Sequence, residues 1–319
     1  MSAADERIGL LFPGQGSQAV GMGRDLAERF PEAREVFEAA DEALGFALTR
    51  LMWEGPEEEL TLTRNTQPAL LVHSAAAWAV LRANGVEAVC AAGHSLGEFS
   101  AYHAAGSLSF AAAVRAVRRR GELMYEAGQA RPGTMAAVLG LDDDIVEGVC
   151  REASHEDSVV VAANFNAPGQ VVVSGDLSAV ERVSPMLVAA GAKKVTALNV
   201  SGAFHSPLMA PAEAGLLAEL EAAEFNEPAF PVASNVTAAP VTDPVEARAL
   251  LVQQLTSSVR WSQGVRAMLG LGVTQFLEVG TGKVLTGMLK RIDPAAAGRG
   301  IALGTAEQIE AFLGTRTGV

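Results

Sequence analysis

Five residues, Gly93-His94-Ser95-Leu96-Gly97, constrain this chain more than any other stretch, because their G-x-S-x-G spacing fits a sharp turn from a strand into a helix. The residue at the apex of such a turn occupies a sparsely populated backbone region. Its neighbours two positions away must let strand and helix approach closely, which a side chain at either place hinders. The flanks agree with that geometry. Val86, Val89, Cys90, Ala91 and Ala92 read as a short buried strand, and the stretch from Glu98 is alanine-rich with no proline until Pro132. A serine between glycines also occurs in ordinary tight turns. Strand, corner and helix together favour an exposed nucleophile at Ser95, and with it acyl chemistry.

Around that corner, short apolar strands alternate with longer helical patterns, as in an α/β fold. Ile8 to Phe12 reads as a first strand, broken by Pro13-Gly14-Gln15-Gly16; helical patterns follow at about 19–29 and 33–44, and Pro68 is expected to open an apolar helix over 69–82. From Gly133 to about Ala197 the texture changes. Strands at 135–139, 159–163, 171–174 and 194–198 enclose helices at 142–152 and 179–190, the β-α-β-β-α-β order of a split ferredoxin-like motif. Beyond it, 232–235 and 275–279 read as strands, and the alanine- and glycine-rich tail from Pro294 is expected to pack loosely. The expected architecture is a large α/β-hydrolase-like domain over 1–131 and 200–319 with an inserted small ferredoxin-like (α+β) domain over 132–199. A length of 319 residues, with 49% hydrophobic and 19% charged, suits one large domain with a smaller companion.

Charge and cysteine usage exclude other classes. A net charge of −13 repels polyanions and disfavours nucleic acid and anionic lipid, so an acidic partner must dock on a local basic patch. Cys90 and Cys150 form neither a disulfide framework nor a metal-ligand cluster, which suits a reducing cytoplasm and predicts no bound metal. The start, Met1 to Arg7, is too charged, and the apolar run Ile8 to Phe12 too short, for an expected export signal or membrane span. Gly14-Gln15-Gly16 and Gly280-Thr281-Gly282-Lys283 lack the Walker spacing and a complete dinucleotide fingerprint, so they read as tight turns at strand ends.

A serine nucleophile needs a base, and five histidines are available. His94 sits inside the turn and is expected to point away from the serine; His73 falls in an apolar helix; His103 follows Ser95 on its own helix; His155 lies in an acidic, exposed segment. His205 remains, in a glycine- and proline-punctuated loop C-terminal to the serine, as in α/β-hydrolase order, though a loop histidine is also an ordinary cap or surface residue. No aspartate between the two stands in an obvious triad position. Asp142, Asp143 and Asp144 cluster at a helix start, where carboxylates cap amides and favour the dipole. A Ser-His dyad is therefore expected, its histidine oriented by some other acceptor. Among three consecutive arginines, Arg119 points away from the buried stripe of Val114, Val117, Gly121 and Met124, while Arg118 and Arg120 both flank it at ~100° per residue.

Five motifs then carry a resemblance. Phe12 to Gln18, Gly93 to Glu98, Arg120 before Gly121, Phe204-His205-Ser206-Pro207-Leu208-Met209, and Glu278 to Leu285 together resemble the malonyl-CoA:acyl carrier protein transacylase family, in that family's order, from about Ile8 to Ile292. The resemblance implies a ping-pong transfer: Ser95 takes malonyl from coenzyme A with His205 as general base, and the phosphopantetheine thiol of acyl carrier protein then takes it from the serine. It implies an oxyanion hole from the amides of Gln15 and Leu96, the Gln254 carbonyl orienting His205, and Asn166, with Asn164 beside it, as polar cleft positions. From Arg118 and Arg120 it selects Arg120 to hold the free malonyl carboxylate. Leu96 and Phe204 resemble malonyl-selective members, whereas Gly202 departs from the His-Ala-Phe-His of many modular synthase domains. The implied substrates are malonyl-CoA and acyl carrier protein, with no cofactor, in fatty acid or polyketide synthesis by a cytoplasmic monomer. Lys193-Lys194 and Lys283 with Lys290-Arg291 are the lysine-bearing candidates for carrier docking. The alternative is a serine thioesterase or hydrolase, which shares the turn and the histidine but lets water reach the acyl-enzyme.

Overall fold

A computed structural model of the chain describes residues 6–316. The segment 1–5, where the expectation of no export signal partly rests, lies outside them. Among the described residues ten strands run in chain order: β1 (Ile8–Phe12), β2 (Cys90–Gly93), β3 (Gly133–Leu139), β4 (Val160–Ala167), β5 (Gln170–Asp176), β6 (Lys194–Ala197), β7 (Val232–Ala233), β8 (Pro240–Val241), β9 (Gln275–Val279) and β10 (Gly300–Leu303). Six form one sheet in the order β10-β9-β1-β2-β7-β8, parallel throughout except for the β7–β8 pair. The other four form an antiparallel sheet in the order β4-β5-β3-β6. The protein is thus a mixed α/β structure with a parallel sheet and a separate antiparallel one.

β1 and β2 lie side by side at the centre of the parallel sheet and are buried along their whole length, as expected where helices cover both faces. Their register pairs Phe12 with Gly93, so the turn after β1 and the turn after β2 emerge together at the carboxyl edge of the sheet. Open α/β sheets place their ligands at such an edge. Two long helices, Thr63–Ala83 and Phe110–Ala130, pack against each other beside it. Gly121 is their contact point: a Cβ there would lie 2.8 Å from the Arg64 Cα, so only glycine permits this approach.

Several boundaries differ from the sequence reading, each for a local reason. The helix expected over 19–29 begins only at Arg24, because Gly21 and Gly23 take left-handed φ of 94° and 76°. The helix expected to open at Pro68 starts at Thr63 and carries the proline inside it. Proline cannot donate to the carbonyl four residues back; Arg118 Nη1 donates to that Arg64 oxygen instead, at 3.1 Å. β4 extends past its apolar run to Ala167 through two register shifts, which carry Asn164 and Asn166 into the sheet. Asp142 is the N-cap of helix Asp143–Ala153, yet its side chain makes no capping bond. The tail is not loose. After Pro294 the chain adds β10 to the sheet edge and the helix Ala306–Arg316, burying Leu303, Ala306 and Ile309 completely. Among the described residues, no helix is long and apolar enough to cross a membrane, and no group of three or more His, Cys, Asp or Glu side chains is arranged to hold a metal ion.

Candidate active site

The turn after β2 has the strained geometry its glycines announce. Ser95 sits at φ 52°, a left-handed conformation that costs a non-glycine residue ~1–3 kcal/mol. A Cβ on Gly93 would stand 1.8 Å from the Gly97 carbonyl carbon, and one on Gly97 would stand 2.3 Å from the Phe12 carbonyl oxygen. Neither position tolerates a side chain. Helix Gly97–Ala104 starts directly behind the serine and aims its amino end at the site. Asn235, just past β7, clamps the turn: its Oδ1 accepts from the Ser95 amide at 2.8 Å and its Nδ2 donates to the Gly93 carbonyl at 2.7 Å.

His205 comes from the loop between β6 and the short 3-10 helix Pro207–Ala212, itself at φ 56°. Ser206 fixes that loop, donating its hydroxyl to the Ala203 carbonyl at 2.7 Å and accepting from the Leu208 amide at 3.3 Å. The structure places His205 Nε2 2.8 Å from Ser95 Oγ, and His205 Nδ1 2.9 Å from the Gln254 backbone carbonyl. A carbonyl can only accept, so Nδ1 carries the proton and Nε2 is left to take one from the serine. Burial, and next the Arg120 charge, push the imidazole down to about 3, which keeps it neutral and able to act as a base.

Arg120 is 1% exposed and reaches the same point. Its Nη2 donates to Ser95 Oγ at 3.0 Å and to Gln254 Oε1 at 2.8 Å, and its Nη1 donates to Gln67 Oε1 at 2.7 Å. Its Nε is buried with no hydrogen-bond partner among the described residues. Burial lowers the guanidinium to about 10, so it still holds its charge at neutral pH. Arg118, the other candidate, lies away from the serine, bonded to Arg64, Asn65 and Glu122 with its guanidinium over the Phe46 ring. Arg119 points outward to Glu122 and Glu126.

These groups line a cavity of about 380 Å³. Gln15 and Leu96 lie in its wall beside Ser95, as do Asn164 and Asn166 from β4; Met124, Met135, Val172, Leu198 and Phe204 supply an apolar side. Asn166 Oδ1 bonds His94 Nε2 at 2.9 Å, which directs the His94 ring toward β4, and the ring also rests 5.6 Å from the Trp261 ring. His103 bonds the Leu108 carbonyl, His73 is wholly buried in its helix, and His155 is an exposed turn residue. The sequence reading missed three residues in this network. Gln67 and Asn235 carry no motif; Glu98 ends the serine motif but was given no role. Glu98 is fully buried and bonded to Gln254 Nε2 at 2.6 Å, and burial raises its carboxyl to about 7 despite that bond.

A serine bonded to a neutral buried histidine, with a buried guanidinium beside both, suits acyl transfer of an acid-bearing group. Comparisons with known proteins agree. Residues 10–294 match the acyl transferase domain family. A malonyl CoA-acyl carrier protein transacylase of Bacillus subtilis is 44% identical over 309 residues, covering 97% of either chain. One of Escherichia coli K12 is 47% identical over 287 residues, 90% of this chain and 93% of that one. An acyl carrier protein S-malonyltransferase of Vibrio cholerae superposes with a TM-score of 0.92 at 43% identity, covering 96% of this chain and all of its own. A malonyl-transacylase solved in complex with its type II PKS acyl-carrier protein superposes with a TM-score of 0.91 at 41% identity, over 97% of this chain and 100% of that one. With near-complete coverage and this level of identity, the chain belongs to the malonyl-CoA:acyl carrier protein transacylase family of acyltransferases.

Proposed function

We propose that this enzyme moves malonyl from coenzyme A to the phosphopantetheine thiol of acyl carrier protein through a malonyl ester on Ser95. In the first half, Ser95 Oγ attacks the thioester carbonyl and passes its proton to His205 Nε2. The C–S bond breaks, and the CoA sulfur leaves with that proton as the thiol. In the second half, the carrier thiol gives its proton to His205 and its sulfur attacks the ester carbonyl; the C–O bond to Ser95 breaks and His205 passes the proton to Oγ, returning Ser95 to the hydroxyl. Backbone amides of Gln15 and Leu96 stabilise the oxyanion of each tetrahedral intermediate, and the Gln254 carbonyl keeps the imidazole in the required tautomer. Asn164 and Asn166, which line the same cavity, are polar contacts for the acyl chain.

One observation carries the malonyl assignment: a buried guanidinium 3.0 Å from the nucleophile, whose Nε–H has no partner among the described residues. Malonyl differs from acetyl by a carboxylate, which pairs with that cation. The chemistry requires no cofactor, since CoA and phosphopantetheine enter as thioester and thiol substrates. A single copy of the chain supplies dyad, arginine and glutamines, which supports a monomer, and two buried free cysteines suit the cytoplasm. We read the parallel sheet and its helices as an α/β-hydrolase-like domain (1–131, 200–319) with β3 to β6 as an inserted ferredoxin-like unit (132–199). For the carrier we favour the lip formed by Lys283 and the helix Val284–Ile292, because Val284, Leu285 and Met288 of that helix line the cavity. The product serves as extender unit in fatty acid synthesis, and the likeness to a transacylase of a type II PKS carrier protein extends that role to polyketide assembly.

The test is mass spectrometry of the protein after incubation with malonyl-CoA and a chase with pantetheinylated carrier protein. A malonyl adduct on Ser95 that moves to the carrier faster than it hydrolyses is the expected result. Loss of the adduct chiefly to water would identify a thioesterase or hydrolase instead, and absence of an adduct would remove Ser95 as the nucleophile.

A further inference from the structure

Glu98 takes no part in the steps above, yet it sits at the centre of the groups that do. It occupies the first turn of helix Gly97–Ala104 with no exposure at all. One oxygen does all its bonding: Oε2 accepts from Gln254 Nε2 at 2.6 Å and from the Asn235 backbone amide at 3.2 Å. Oε1 has no hydrogen-bond partner among the described residues, and no hydrogen bond joins Glu98 to Arg120. On its far side, Gln254 presents Oε1 to Arg120 Nη2 at 2.8 Å, while its Nε2 also donates to the Ser95 carbonyl at 3.0 Å.

A primary amide has two faces that differ only in sign. Were the Gln254 amide reversed, its NH2 would confront the guanidinium N–H, donor against donor, and its oxygen would confront Glu98 Oε2 and the Ser95 carbonyl. The Arg120 donor on one side and the Glu98 and Ser95 acceptors on the other therefore require the same orientation of the amide. We propose that Glu98 is a positioning residue, whose Oε2 fixes the Gln254 amide and the Asn235 clamp and so sets where Arg120 meets the malonyl carboxylate. Glu98 and Arg120 attract each other through space, but the role proposed rests on an acceptor at a fixed place. A carboxyl that burial brings to about 7 is partly protonated at neutral pH, and with the proton on Oε1 the Oε2 oxygen remains an acceptor for both donors, though a weaker one than in the carboxylate.

This inference rests on the malonyl reading, and two conservative variants test it in crossed directions. Glu98→Gln removes the charge and keeps an oxygen at the Oε2 position. Glu98→Asp keeps the charge and withdraws the acceptor by ~1.5 Å, one carbon–carbon bond. Each is assayed beside the wild type for transfer from malonyl-CoA and from acetyl-CoA to holo carrier protein, with thermal melting to show that both fold. We expect Glu98→Gln to keep the malonyl-to-acetyl ratio of kcat/KM within about threefold of wild type. Glu98→Asp should lower it about tenfold, through a raised KM for malonyl-CoA, the scale of one misplaced buried hydrogen bond. The reverse pattern, with Gln damaged and Asp spared, would show a countercharge and overturn the proposal, as would an unchanged ratio in both or an equal loss in both. A wild type that transfers no malonyl overturns the functional reading itself, which this comparison separates from failure of the Glu98 role.

Discussion

Replacing Arg120 by alanine tests the link between structure and substrate choice most directly. In the wild type the guanidinium is 1% exposed, lines the cavity and is bonded to Gln67, Gln254 and Ser95, so a malonyl carboxylate entering the cavity meets a cation already held in place. Truncating one partner of a buried, hydrogen-bonded charge pair costs ~2–5 kcal/mol, and each ~1.4 kcal/mol is a factor of ten. Water entering the space left by the side chain recovers part of that loss. We therefore expect kcat/KM for malonyl transfer to fall roughly 10²- to 10³-fold. Acetyl has no carboxylate to strand; it loses what the Arg120 bonds to Ser95 Oγ, Gln254 and Gln67 contribute to the site, a smaller loss, so its rate should fall by no more than about tenfold or rise. The assay is initial-rate transfer of radiolabelled malonyl or acetyl from CoA to holo carrier protein, with hydrolysis counted separately. Equal losses for both donors would refute the reasoning, since Arg120 would then serve the nucleophile or the fold and not the carboxylate.

The same variant carries a pH prediction. Arg120 is the second cause, after burial, of the lowered His205 imidazole, so Arg120→Ala should move the acid limb of the acetyl-transfer profile to higher pH while leaving it below 6.5; an unmoved limb would contradict this. Buried histidines should also govern acid stability. His73, lowered from 6.5 to about 4 chiefly by burial, holds fewer protons folded than unfolded, so the stability it lends is present above pH 6.5 and falls by ~1.4 kcal/mol per pH unit between there and about 4. His73→Leu should flatten the decline of melting temperature with pH across that window, and an identical slope in both proteins would exclude the histidine. Gly93→Ala should yield no soluble active enzyme or a melting temperature many degrees lower, because its Cβ meets backbone 1.8 Å away that cannot yield; a folded, active variant would show that the turn after β2 is not fixed as described.

What the sequence discloses, and what it hides, follows from how each residue acts. Ser95 is legible because a strained φ of 52° between a strand and a helix demands glycine on either side, and that demand is written in adjacent residues. His205 stands in a loop that its own Ser206 and Pro207 shape, so it too has a local sign. Arg120 has none. Its angle on the helix flanks the buried stripe just as that of Arg118 does, and what separates them is the crossing helix Thr63–Ala83. Helix Phe110–Ala130 meets it at Gly121; Arg118 is drawn to the Arg64 carbonyl that Pro68 leaves open, and Arg120 falls on the side of the serine. Asn235, Gln67, Gln254 and Glu98 are harder still, for each works through a buried hydrogen bond to a segment between 53 and 159 positions away. No periodicity marks such a partner, and an isolated buried glutamine or asparagine looks the same in sequence whether it fills a turn or aims an arginine. β4 misleads in the same way. Its bulges substitute two asparagines for the apolar alternation that defines a strand, and they do so where the strand faces the cavity. The local rules therefore fail here at positions that serve the site, because those side chains answer to the ligand and to distant neighbours and not to the element that carries them.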